Sequence, residues 1–137
     1  MSRENVELVR AGWDAFSRGD MERAIEVFAA DVEWDVSRDV WGDLVGGGHY
    51  HGVDGIATWL GDLYDAWETF EMEAVEVIDA EEDRVITVLS ARGRGRVSGL
   101  EVEHHPAGVT TLREGKVVRV AWFSTREEAL EAMALEE

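Results

Sequence analysis

Between Val85 and Ser124 the chain alternates apolar and polar residues around two turn dipeptides, Ser98-Gly99 and Glu114-Gly115. A two-residue hairpin turn sets the register of the strands it joins, so the stretch predicts three consecutive antiparallel strands. The first turn would set Val97 against Leu100, Arg96 against Glu101 and Arg94 against Glu103, two opposite-charge pairs on one face. The second would pair Leu112 with Val117, Thr110 with Arg119, Gly108 with Ala121 and Pro106 with Phe123. One face then carries Gly93, His104, Gly108, Thr110, Arg119, Ala121 and Phe123. The other carries Ala107, Val109, Thr111, Val118, Val120 and Trp122, which is too apolar to stand in water, and a symmetric homodimer through that face is the simplest cover.

Upstream, the spacing of Val6, Val9, Trp13 and Phe16 predicts a helix over 5–18, closed by Gly19. Asp20 caps a second helix over 21–30. A strand from Asp31 alternates Val32, Trp34 and Val36 with Glu33 and Asp35. The glycine-rich segment 37–51, with Trp41 and Tyr50, reads as a loop over a pocket mouth. Ile56, Trp59, Leu60, Leu63 and Trp67 mark a third helix over 53–70, a strand runs over 70–79, and Thr125 to Glu128 form a capping box for a short terminal helix. Helix, helix, strand, loop, helix, four strands, helix is an α+β order, expected as one domain over 1–137. Three helices in the N-terminal half would pack on one face of a curved antiparallel sheet and leave a cone-shaped pocket suited to a small organic molecule.

The chain has no cysteine, which removes disulfides, thiolate metal sites and thiol nucleophiles. Its start has charges where a signal peptide needs an apolar run, and no segment approaches a membrane span, so a cytoplasmic protein is expected. With 30 acidic against 13 basic side chains and a formal charge of -17, nucleic acid and anionic membrane are disfavoured as partners. Two arginines of the stripe Arg92, Arg94, Arg96 are paired with Glu101 and Glu103 by the register above, which disfavours a phosphate site.

The segments ENVELVRAGWDAFSRGD, FAADVEW, YHGVDGI and TLREGKVVRVAWFSTREEALEA, in this order, resemble the SnoaL-like branch of the NTF2-like superfamily over nearly the whole chain. The resemblance implies a cone-shaped α+β barrel, usually dimeric through its sheet and mostly working without metal, and no cofactor is expected. Relatives include polyketide cyclases, isomerases, dehydratases and epoxide hydrolases. It also implies two positions for acid–base groups. The general-base aspartate of isomerase-like members falls on Val36, with Asp35 one residue away but pointing outward by parity, and a histidine common among relatives falls on Gly108.

Two function classes stay open on these residues. In the first, the cone binds a small apolar molecule and acts on it by acid–base chemistry, with His104 as base, Asp35 second, and Arg119 or Thr110 placing a substrate oxygen. Trp13, Trp34, Tyr50, His51, Trp59, Thr110 and Phe123 would then shape the substrate pocket. In the second, the chain is a non-catalytic binding or dimerisation module that has lost its acid–base groups. A buried ionisable side chain in the cavity separates the two. His49, His51 and His104 are the weakest candidate, as a metal triad.

Overall fold

The computed structural model describes residues 2–38, 48–80 and 83–136. The predicted loop tip and lid residue Trp41 lie outside them. Helix α1 (Ser2–Ser17) buries Val9 and Ala15 and ends at Gly19, whose φ of +79° turns the chain. Helix α2 (Met21–Ile25) begins under the Asp20 carboxylate, which accepts from Arg23 N at 3.2 Å. It is half the predicted length. Val27 and Phe28 leave it to pair with the far end of the chain: Val27 O accepts from Val117 N at 2.8 Å, and strand β1 (Phe28–Arg38) already runs there. Aromatic and β-branched residues with a waiting sheet edge override a short helical pattern.

β2 (His49–His51) folds back on β1, and helix α3 (Gly52–Ala66) follows. The chain turns extended at Trp67 rather than Phe70, opening β3 (Trp67–Asp79). Trp67 therefore meets the core as a strand residue, its indole so close above Gly93 that a Cβ there would sit 2.8 Å from the ring. β4 (Arg84–Gly95), β5 (Glu101–His104), β6 (Ala107–Arg113) and β7 (Lys116–Phe123) lead to helix α4 (Arg126–Glu136). Thr125 Oγ1 accepts from Glu128 N at 3.1 Å, as the capping box requires. Among the described residues seven strands form one open sheet in the order β2-β1-β7-β6-β4-β3, with β5 also on β4, and β1 and β7 are the one parallel pair.

Both hairpins depart from the predicted register. Around Ser98-Gly99 the ladder ends at Arg94 opposite Glu101, with Arg92 opposite Glu103, two residues away from the prediction. The loop is wider because Arg96 is taken out of the sheet: its guanidinium donates to Tyr64 O at 3.0 Å and Asp65 O at 2.9 Å, the free carbonyls at the end of α3. Around Glu114-Gly115 both residues have positive φ, 51° and 76°, the turn that a tight hairpin prefers. Leu112 faces Val117 as expected, but Thr111 then faces Arg119 and Thr110 faces Val120. Val118 is the extra residue of a β-bulge.

That bulge exchanges the faces of the rest of β7. Val120 and Trp122 belong to the inner core, with Trp34, Trp59 and Leu112. Phe123 and Ala121 belong to a second core with Ala107, Val109 and Ile86, covered by Ala129 and Met133 of α4. The face expected to pair two protomers through Val109, Val118, Val120 and Trp122 is therefore not one surface. Its apolar outer half is already covered by the chain's own last helix.

Candidate functional site

The inner face of the sheet and the three helices α1 to α3 enclose a cavity of about 540 Å3. The sheet supplies its floor through Trp34, Thr110, Val117, Val120 and Trp122. Val9, Trp13 and Phe16 of α1, Ala24 and Ile25 of α2, and Ile56, Trp59, Leu60 and Tyr64 of α3 supply the walls. The helical spacing of three and four puts these side chains on one face of each helix, and strand alternation brings Trp34 in beside Val32 and Val36. Four tryptophans pack against one another: between ring centroids Trp34 lies 5.0 Å from Trp59 and 5.5 Å from Trp122, both tilted, and Trp122 lies 6.0 Å from Trp13, edge to face.

The chemistry of the wall is narrow. Among the described lining residues there is no carboxylate, imidazole, ammonium or guanidinium, and the side-chain hydroxyls of Thr110 and Tyr64 join the indoles as the polar groups. The Nε1–H groups of Trp34 and Trp122 are buried without a hydrogen-bond partner, so what these rings present to the cavity is hydrocarbon. Leaving such a donor unpaired costs about 1–3 kcal/mol.

Of the residues singled out in the sequence, Trp13, Trp34, Trp59 and Thr110 line this cavity, and Tyr50, His51, Phe123, His104, Asp35 and Arg119 do not. Phe123 is turned out by the bulge. Tyr50 packs on the inner core at its rim, and its hydroxyl donates to Asp62 at 3.4 Å; burial and that carboxylate push the phenol up from its ordinary value. His51 is exposed at the residue preceding α3 and makes no side-chain cap. His104 stands opposite Ala91 at the end of β5 and is not among the residues that line the cavity. Among the described residues no three His, Asp or Glu side chains stand close enough to hold a metal ion.

Asp35 points outward, as strand parity required, and has its own network there. Its carboxylate accepts from Ser37 N at 2.9 Å and Ser37 Oγ at 2.6 Å, with His49 Nδ1 and an Arg119 nitrogen each 3.7 Å away. Burial by itself would raise this carboxyl; the two Ser37 hydrogen bonds and the His49 and Arg119 charges outweigh it and hold the group below its ordinary value. Arg119 also faces Glu33 at 3.7 Å. Asp35, His49, Arg119 and Glu33 form an ion-paired outer patch, and Arg119 is committed to two carboxylates.

Both acid–base positions implied by family resemblance are filled with apolar structure. Val36 is 1% exposed in the inner core. At Gly108 an added Cβ would lie 2.9 Å from Trp122 Cζ3 and 3.0 Å from Cε3 and Cη2. The indole occupies the room that a side chain would need. The sequence pattern missed Trp122, Val120, Tyr64 and Met72 as lining residues; the first two are recoverable only by knowing the bulge.

This geometry can be compared with known proteins. Residues 9–120 match the SnoaL-like domain. The chain belongs to the SnoaL-like family. An uncharacterised protein of Mycobacterium tuberculosis is 30% identical to this SnoaL-like chain over 129 residues, covering 93% of it and 94% of the relative. An NTF2-like protein of Burkholderia thailandensis superposes with a TM-score of 0.76 at 25% identity, covering 94% of this chain and 96% of its own. TerC, crystallised with polyporic acid, superposes with a TM-score of 0.74 at 22% identity, covering 93% and 96%. These likenesses establish the SnoaL-like chain's NTF2-like fold, an open curved sheet carrying helices.

Proposed function

We propose that the protein binds a neutral, largely apolar organic molecule in the cavity between its sheet and helices α1 to α3. One observation carries this reading: a cavity of about 540 Å3 whose described lining residues bring aromatic rings, aliphatic groups and two hydroxyls, and no carboxylate, imidazole, ammonium or guanidinium. Such a volume holds a polycyclic ligand, and a charged one would lose its hydration without gaining a counter-ion. The co-crystallisation of TerC with polyporic acid, an organic ligand of its own, is in keeping with this use of the fold. Proton transfer needs a group with a suitable pKa within reach of the ligand. On this reading His104, Asp35 and Arg119 are not catalytic residues, and replacing them leaves ligand binding unchanged.

The test is the melting temperature against neutral polycyclic quinones, phenols and terpenoids, beside anionic and cationic compounds of equal size. A ligand at one hundred times its Kd adds about 2.7 kcal/mol to stability, so selective shifts of several degrees by the neutral set are expected. Val120→Phe, growing from the cavity floor, removes those shifts. Shifts by charged compounds only, or shifts that survive Val120→Phe undiminished, would overturn the assignment.

A further inference from the structure

The apolar cavity has a polar neighbour. A second cavity of about 320 Å3 adjoins it, and Phe16, Tyr64 and Met72 line both. The rest of its wall is Ser17, Phe70, Glu71, Glu73, Ser90 and Arg92. Glu71 and Glu73 bring acceptors alone when ionised, the Ser17, Ser90 and Tyr64 hydroxyls can accept as well as donate, and Arg92 is the one cationic donor among these lining residues. Arg92 stands in the sheet register between Glu71 on β3 and Glu103 on β5, two carboxylates to one guanidinium. The formal charge of -17 adds a field of the same sign. This compartment therefore rewards hydrogen-bond donors and penalises anions, whereas the first compartment has almost nothing for a donor to meet. Tyr64 stands at the junction. It is 48% exposed, with its ring edge-on to Phe70 at 6.2 Å, so the shared wall at that point is a half-exposed side chain rather than backbone.

From this adjacency we infer that the ligand has two parts: an uncharged apolar body in the first cavity, and a hydrogen-bond-donating, non-anionic group, hydroxyl or amine, that reaches past Tyr64 into the second. The inference rests on the binding reading above and names the ligand class more narrowly. Neither compartment alone explains both chemistries. A molecule with only the apolar body leaves the acceptors of the second cavity to water, and one with a carboxylate tail sets like charge beside Glu71 and Glu73.

Four probes decide it, each an anthraquinone carrying the same four-atom chain, ended by a methyl, a hydroxyl, a primary amine or a carboxylate. Affinities are measured on the wild-type protein by tryptophan fluorescence and calorimetry. The methyl probe binds, the hydroxyl or amine probe binds about 10-fold tighter, and the carboxylate probe binds most weakly. An amine preferred over a hydroxyl identifies carboxylates as the acceptors, and Glu71→Gln with Glu73→Gln then reduces the amine to the level of the hydroxyl. If the methyl probe binds and the polar tails add nothing, or the carboxylate binds tightest, the two-part ligand is refuted while the apolar cavity keeps its role. If none of the four binds, the cavity reading fails and takes this inference with it.

Discussion

Replacing Gly108 by Ala tests the packing that closes the floor of the cavity. The new methyl carbon would stand 2.9 Å from Trp122 Cζ3 and 3.0 Å from two further ring carbons. Carbon atoms are comfortable at about 3.5–4.0 Å, so the indole must retreat by about 0.5–1 Å. Its retreat is opposed by Trp34 and Trp13, whose rings already contact it. Overpacking of this kind costs about 1–3 kcal/mol, or a fall in Tm of about 3–5 °C per kcal/mol at this chain length. Urea unfolding of Gly108→Ala, Trp122→Leu and the double variant separates the contact from other effects. Trp122→Leu removes the ring atoms that would be struck, so Gly108→Ala in that background should cost less than about 0.5 kcal/mol, a coupling of at least ~0.5 kcal/mol. Additive costs would refute the reasoning. If the cycle couples as expected, a histidine cannot be restored at position 108 without first changing position 122.

Three other outcomes are expected. Asp35 has a depressed pKa, so its network contributes stability that is fully present above the ordinary carboxylate value of 3.8 and is lost as pH falls through the lower folded value. Asp35→Asn should therefore be less stable than wild type at pH 7 and converge on it as pH falls through the lowered folded value; an NMR titration of Ser37→Ala should show the Asp35 carboxyl moving up. Arg96→Ala removes both donors from the end of α3 and should cost about 1 kcal/mol in thermal unfolding, with Arg96→Lys recovering part of it. Thr125→Ala removes the α4 cap and should cost about 1 kcal/mol, while Thr125→Ser costs only a fraction of that.

Much of the architecture was legible because it depends on local rules. Asp20 and Thr125 mark helix starts by hydrogen bonds within three residues, and Glu114-Gly115 marks a turn that only positive φ can make. The helical stripes of α1 and α3 named Trp13 and Trp59 as cavity residues before any tertiary contact was known. What could not be read was set from far away. Arg96 leaves the ladder for carbonyls 31 and 32 residues earlier, which widens the first hairpin. Val118 bulges where β7 lies between β6 and the parallel β1, and strand parity, having a period of two, reverses with a single inserted residue. Phe123 and Arg119 were thereby assigned to the wrong face, and Trp122 to the dimer surface instead of the pocket. The two errors share one cause.

The parallel pairing of β1 with β7 has a consequence for how the molecule comes into being. Phe28 waits for Val117, its ladder partner, across 89 residues. A ribosome adding about 5–20 residues per second leaves that interval open for roughly 4–18 s. During it, Val32, Trp34 and Val36 have been made, but the strand that completes their side of the sheet has not. Fragments that end before β7 should therefore be caught by chaperones or aggregate rather than hold a partial cavity, and nascent chains stalled at that length are where folding of this protein is most easily lost.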